Sequence, residues 1–229
     1  IHVAAVLAVI DFMGAGNMAS AIVRGMIAGG TDPSRILVTD AHGPAADSLG
    51  SSTGATVSPS NADLVGAADV VVLAVKPQVL PDVLAGVQEE LASSQPLVVS
   101  IAAGISLARL GEMVPEGTAV VRVMPNVNAQ IGAGMAAVTG NEHASAAQVD
   151  LVVDLFGLVG EAIELAEKDF AVFSAIAGAA PALTYQYIDA LARGALLGGI
   201  PKATAVRVAA QTVLGSARLV LTKLDDGVT

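Results

Sequence analysis

The run Gly14-Ala15-Gly16-Asn17-Met18-Ala19 follows an apolar stretch over residues 3–13 and precedes a small, apolar one over residues 19–28. A strand that opens through a tight glycine turn into a helix is the arrangement that receives a dinucleotide pyrophosphate. Gly14 permits the turn, Gly16 lets the backbone approach the phosphates, and Ala19 is small enough for the helix to sit against the strand. The unpaired N–H groups and positive dipole end of that helix then face the anion. Because the chain has 24 glycines, the motif alone also fits a chance match, and its surroundings have to decide. Gly29-Gly30 can stop the helix, and residues 35–40 form a second strand candidate ending in Asp40. An acid roughly 20 residues past the glycines accepts hydrogen bonds from a ribose 2′-OH and repels a 2′-phosphate. A strand-end turn aspartate is the alternative. No Arg or Lys stands between Arg35 and Lys76 to hold a 2′-phosphate, so NADH is favoured over NADPH.

Elements able to position these groups recur along the chain. Residues 55–57 form a short strand candidate, and Ser58-Pro59-Ser60-Asn61 can start a helix. Asp69-Val70-Val71-Val72-Leu73-Ala74-Val75 is an unbroken run suited to a parallel strand covered on both faces. Lys76-Pro77 ends it, residues 80–91 supply a helix, and Leu97-Val98-Val99-Ser100-Ile101 is the next buried strand. Residues 119–124 form a further strand that stops at Pro125, and residues 134–138 a last one. From about Glu167 the texture becomes helical, with breaks only at Gly178-Ala179-Ala180-Pro181 and Gly198-Gly199-Ile200-Pro201. The expected fold is α/β: an N-terminal Rossmann-type, mostly parallel sheet over residues 1–165, then an all-helical domain over residues 166–229. About sixty apolar residues make a poor independent core, so burial against another copy of the chain is expected.

Composition narrows the class. With 54% hydrophobic and 14% charged residues, a 229-residue chain has ample material for a globular core. A net charge of −10 and 3% aromatics argue against nucleic acid as a partner. The absence of cysteine excludes disulfides and thiolate chemistry. His2, His42 and His143 are scattered without metal-ligand spacing, so no metal is expected. Residues 1–10 are apolar but lack a basic flank, a cleavage site and the ~20-residue length of a membrane span, and a cytoplasmic protein with an inner first strand is expected.

Taken with the glycine loop, Leu73-Ala74-Val75-Lys76-Pro77-Gln78, Val99-Ser100-Ile101-Ala102-Ala103-Gly104-Ile105 and Val121-Arg122-Val123-Met124-Pro125-Asn126 resemble the pyrroline-5-carboxylate reductase family. Glu167-Lys168-Asp169-Phe170, residues 174–182, Gly199-Ile200-Pro201-Lys202 and Gln211-Thr212-Val213-Leu214-Gly215-Ser216-Ala217 continue the resemblance in order. It implies reduction of L-1-pyrroline-5-carboxylate to L-proline by NADPH or NADH, in a homodimer, or an oligomer of dimers, built through the helical domain. Gly14, Ala15, Gly16, Asn17, Met18, Ala19, Asn61, Ala74, Val75, Lys76, Pro77, Ile101, Ala102 and Ala103 fall on the family's cofactor-contacting positions, and Asp40 joins them from spacing. Lys76 also fits a solvated strand-end lysine.

The reaction asks little of side chains, because a protonated imine is already electrophilic and positioning dominates. Near the break, the backbone of Gly178, Ala179 and Ala180 could approach the substrate, with Ser174 as a candidate catalytic hydroxyl one turn earlier; Asn126 is a further substrate-binding candidate. Asn126 equally fits an Asx turn after proline, and the break a close helix packing. Lys168 stands where related hydroxyacid dehydrogenases carry a catalytic lysine, but a charged first turn would look the same, and the surface role is favoured.

The chain also departs from the resemblance. Ala177, Ala179 and Ala180 stand where many members have serine or glycine, and Val127-Asn128 where they have Thr-Pro. Asp11 would bury a carboxylate inside the first strand, which is costly. The family continues beyond the position of Thr229 into a segment that binds the substrate carboxylate and builds the dimer, so the helical domain is expected to be incomplete at its C-terminus. Two other readings stay open: a related hydroxyacid or imine reductase, and a nucleotide-binding regulatory protein without a complete substrate site.

Overall fold

The computed structural model describes residues 8–225. Expectations for residues 1–7, His2 among them, and for residues 226–229 lie outside the described residues. Contacts divide the chain into two compact units, one ending at Gly178 and the other starting at Ala179.

The first unit is organised by an eight-stranded sheet of order β3-β2-β1-β4-β5-β6-β7-β8. Its strands are β1 (Ile10–Met13), β2 (Ile36–Thr39), β3 (Thr56–Val57), β4 (Val70–Leu73), β5 (Leu97–Ser100), β6 (Val120–Met124), β7 (Gly134–Gly140) and β8 (Gly160–Glu164). Every pairing is parallel except β6 with β7, where the 3₁₀ turn Val127–Ile131 reverses the chain. The helices between strands are α1 (Asn17–Ala28), α2 (Gly43–Thr53), α3 (Asn61–Ala67), α4 (Leu80–Ala85), α5 (Gln88–Ser94), α6 (Leu107–Gly111) and α7 (Ala146–Gly157).

Two apolar clusters cover the two faces of this sheet, one built on Ile10, Phe12, Val72 and Val99, the other on Met13, Val71, Leu73 and Val98. Residues alternate between the clusters along β4 and β5, as strands buried on both faces require. The Asp11 carboxylate stands within this interior with no exposed surface. Its Oδ1 accepts a hydrogen bond from Leu37 N at 3.2 Å, while Oδ2 has no partner.

Three elements differ from the sequence reading. The helix expected over residues 80–91 is two helices, α4 and α5, because the chain breaks at Gly86-Val87. Strand β7 is not the last. Strand β8 pairs parallel with it, and its Glu161 and Glu164 are exposed at the sheet edge, which removed the apolar pattern by which a strand is recognised. Helix α7 begins at a capping box formed by Ser145 and Gln148, a signature that the sequence carried unread.

After β8, a 3₁₀ turn (Glu167–Asp169) leads to α8 (Phe170–Phe173) and a π-helical turn (Ser174–Gly178) that ends the first unit. The second unit is a pair of long helices, α9 (Ala180–Leu197) and α10 (Lys202–Asp225). They join at a small core of Ala192, Ala205 and Ala209 and leave Leu183, Tyr185, Leu197, Val208 and Leu221 exposed. Among the described residues no helix is long and apolar enough to cross a membrane.

Candidate functional site

Strand register lines the site up. Met13 is level with Thr39 on one side and Leu73 on the other, and Leu73 is level with Ser100. The residues that follow, Asp40, Gly14, Ala74 and Ile101, therefore share the C-terminal edge of four adjacent parallel strands, where α/β sheets bind ligands. Backbone bonds hold the line: Gly14 N to Thr39 O at 2.7 Å, Ala74 N to Met13 O at 2.8 Å and Ile101 N to Leu73 O at 3.2 Å.

Gly14 has φ +112°, and a Cβ there would stand 2.6 Å from Ala74 O, so the position admits only glycine on both counts. Gly16 differs. Nothing lies within 4 Å of a Cβ built on it, so its missing side chain is not required by the protein's own packing and leaves open space above the turn. Gly16 is also the N-cap of α1 and supplies no side-chain cap, which leaves the helix's first N–H groups for a ligand. Ala19 is buried against the sheet, as expected from its size. This loop fits the diphosphate of a dinucleotide.

Asp40 is more occupied than spacing alone suggests. Its Oδ2 accepts Ala15 N–H at 2.7 Å and its Oδ1 accepts His42 N–H at 2.8 Å. The carboxylate thus clasps the glycine loop to the end of β2, and each oxygen keeps a lone pair for a ribose hydroxyl. Val75 and Pro77 are half-buried and Lys76 is exposed just beyond Ala74, while Ala102 is buried and Ala103 exposed beyond Ile101. Asn61 follows the C-terminal end of β3, the parallel strand next to β2. It opens α3 behind the Ser60 cap, whose side chain accepts Asp63 N–H.

A second group of residues gathers around β6. Arg122, level with Ser100, donates from Nη1 to Glu167 Oε1 at 2.7 Å and lies over the Phe170 ring at 4.7 Å. The same Glu167 oxygen accepts Leu107 N–H at 2.7 Å, so one carboxylate ties β6, the start of α6 and the segment before α8 together. This pair went unread in the sequence because its members stand 45 positions apart. Arg122, Glu167, Phe170, Gly104, Met124, the exposed Lys168 and Ser174 line a cavity of about 280 Å³. Asn126 is buried, with both ends of its amide engaged by backbone. Gly178 closes the π-helical turn of the first unit, whereas Ala179 and Ala180 belong to the second. A larger cleft of about 710 Å³ opens around Pro115, Thr118 and Gly140, before β6 begins, and carries Glu112, Glu116 and Glu142 instead of any cofactor-fitting loop.

A glycine turn that fits a diphosphate, a carboxylate at the end of the neighbouring strand and a long helical pair with exposed apolar residues are features of the class of nucleotide-dependent oxidoreductases with a helical association domain. Residues 9–104 match the family described as NADP oxidoreductase coenzyme F420-dependent, and residues 167–229 match pyrroline-5-carboxylate reductase dimerisation. The chain is 38% identical to a pyrroline-5-carboxylate reductase of Methanosarcina acetivorans over 93% of its own length and 78% of that protein. Its fold superposes on a pyrroline-5-carboxylate reductase from Coxiella burnetii with a TM-score of 0.89 at 33% identity, covering 97% of this chain and 85% of the other. The Plasmodium falciparum pyrroline carboxylate reductase solved with NADP bound gives 0.84 at 27% identity, covering 98% and 85%. The chain belongs to the pyrroline-5-carboxylate reductase family.

Proposed function

We propose that this chain reduces the C=N bond of L-1-pyrroline-5-carboxylate to give L-proline, the last step of proline biosynthesis, with NADH as its preferred donor. The carrying observation is the fit between family membership over most of the chain and the uncapped, glycine-gated N-terminus of α1. When bound, the reduced nicotinamide supplies the hydride that adds to the imine carbon of the protonated ring.

The chain's own contribution is position. Residues 14–19 hold the diphosphate through backbone N–H groups; Asp40 takes the ribose; Asn61, residues 74–77 and residues 101–103 complete the cofactor side. The NADH preference rests on Asp40, whose negative charge beside the ribose opposes a 2′-phosphate. The NADP seen with the Plasmodium relative belongs to that protein. On the substrate side we place Asn126, Ser174 and the Gly178-Ala179-Ala180 backbone. The Arg122–Glu167 pair positions the segment that carries them.

We divide the chain functionally into residues 1–165 for the nucleotide, with Asn126 reaching the substrate side from that part, and residues 166–229 for substrate and dimerisation; the compact units themselves part after Gly178. The exposed leucines, valines and tyrosines of α9 and α10 are covered by a second copy in a homodimer. We place this homodimer, or an oligomer of such dimers, in the cytoplasm. Loss of reduced-nicotinamide absorbance with pyrroline-5-carboxylate, run with each donor and with proline identified as product, tests the reading. Turnover faster with NADPH than with NADH overturns the donor preference, and cofactor binding without turnover overturns the reaction.

A further inference from the structure

Asn126 follows Pro125 at the end of β6 and is 6% exposed. Its Nδ2 donates to Ala177 O at 2.9 Å and its Oδ1 accepts Met135 N–H at 3.1 Å. One side chain thus joins the end of β6, the start of β7 and the π-helical turn Ser174–Gly178, segments 9 and 51 positions away.

The Ala177 carbonyl needs this donor for a reason written in the sequence. In an α-helix it would accept from the residue four positions on, but that residue is Pro181, which has no N–H. The residue five positions on, Ala182, gives its N–H to Ala179 O at 3.1 Å. Both helical donors are therefore withdrawn, and a buried carbonyl left without one costs about 1–3 kcal/mol. At this π-turn, a rare geometry that tends to mark functional positions, Asn126 supplies a hydrogen bond that those two donors do not.

That turn sets the two first-unit groups assigned to substrate. Ser174 lines the cavity beside Arg122 and Met124. The bare side of Gly178 faces Ser174 Oγ and Met124 Cε, which would lie 3.3 and 3.9 Å from a Cβ.

We infer that Asn126 is a positioning residue for the imino-acid substrate: it pins Ala177 and so holds the π-turn in place, and its amide does not bind substrate directly. This rests on the substrate side proposed above.

The test uses Asn126→Asp, which keeps shape and an acceptor for Met135 N–H but replaces the donor facing Ala177 with a carboxylate oxygen. KM for pyrroline-5-carboxylate is expected to rise about tenfold or more, with NADH affinity within about twofold of wild type. Pro181→Ala is the second variant. It restores an N–H that competes for the same carbonyl and is expected to raise KM on its own.

Because both changes act on one bond, the double variant is expected to be no worse than the worse single one. Effects that multiply, or an unchanged KM in Asn126→Asp, overturn the inference. Amide hydrogen exchange over residues 174–180 is expected to quicken in Asn126→Asp, and unchanged exchange overturns the clamp whatever the activity. Failure of the wild-type chain to turn over the imino acid, with the exchange response still seen in Asn126→Asp, overturns the proposed reaction and leaves the clamp standing.

Discussion

Asp11 makes a destabilising contribution that pH should reveal. Burial raises its carboxyl from 3.8 to about 7, the Leu37 N–H pulls the other way, and the charge of Asp69 adds to the rise. The folded state therefore holds a proton that the unfolded chain releases near pH 4. Between those values the unfolded state binds fewer protons, so stability falls as pH rises. The penalty is absent below about pH 4 and fully present above about pH 7. At 1.36 kcal/mol per pH unit, a displacement from 3.8 to about 7 amounts to about 4 kcal/mol, an upper figure for a total stability on the order of 5–15 kcal/mol.

Asp11→Asn keeps the acceptor for Leu37 N–H and cannot ionise. Urea unfolding of both proteins at one fixed concentration, at pH 5, 6, 7 and 8, should show the variant gaining on wild type step by step, by a few kcal/mol at pH 8. Parallel stability curves, or a gap that closes as pH rises, would refute the reasoning.

Gly14→Ala is expected to lose cofactor binding and about 2–3 kcal/mol of stability, since the new methyl meets Ala74 O while φ stays positive; nicotinamide fluorescence titration and thermal melting read the two effects. Asp40→Ser should weaken NADH about tenfold, by opening the clasp on Ala15 and His42, and raise the kcat/KM ratio of NADPH to NADH. An unchanged ratio would remove Asp40 from donor choice. Glu167→Gln keeps an acceptor for Leu107 N–H but leaves the Arg122 guanidinium, only 13% exposed, without its counter-charge. The expected cost is about 1–3 kcal/mol by denaturant unfolding, reduced from that of a fully buried pair because Glu167 is 32% exposed.

What was legible in the chain depended on how local its cause is. The runs at β4 and β5 announced themselves because strands buried on both faces are continuously apolar. The first glycine turn was legible because the φ and the clearance at Gly14 are demands on one residue. Strand β8 escaped because an edge strand carrying Glu161 and Glu164 has no apolar pattern to show. Asp40 was singled out by its interval from the glycines, but its bond to Ala15 depends on β1 and β2 pairing in register, which spacing cannot supply. The Arg122–Glu167 pair and the partners of Asn126 are tertiary facts of the same kind.

On the substrate side proposed above, few polar side chains are needed. Ala177, Ala179 and Ala180 remove hydroxyls from the break, yet Gly178 and Pro181 remain. Pro181 withdraws a donor from Ala177, and Asn126 replaces it from another part of the sheet, so the shape of the π-turn is set by backbone hydrogen bonds. Hydride addition to a protonated imine requires orientation more than an acid or base. If the π-turn is the substrate site proposed above, a backbone fixed through one buried amide can lose hydroxyls and keep the geometry that the reaction needs.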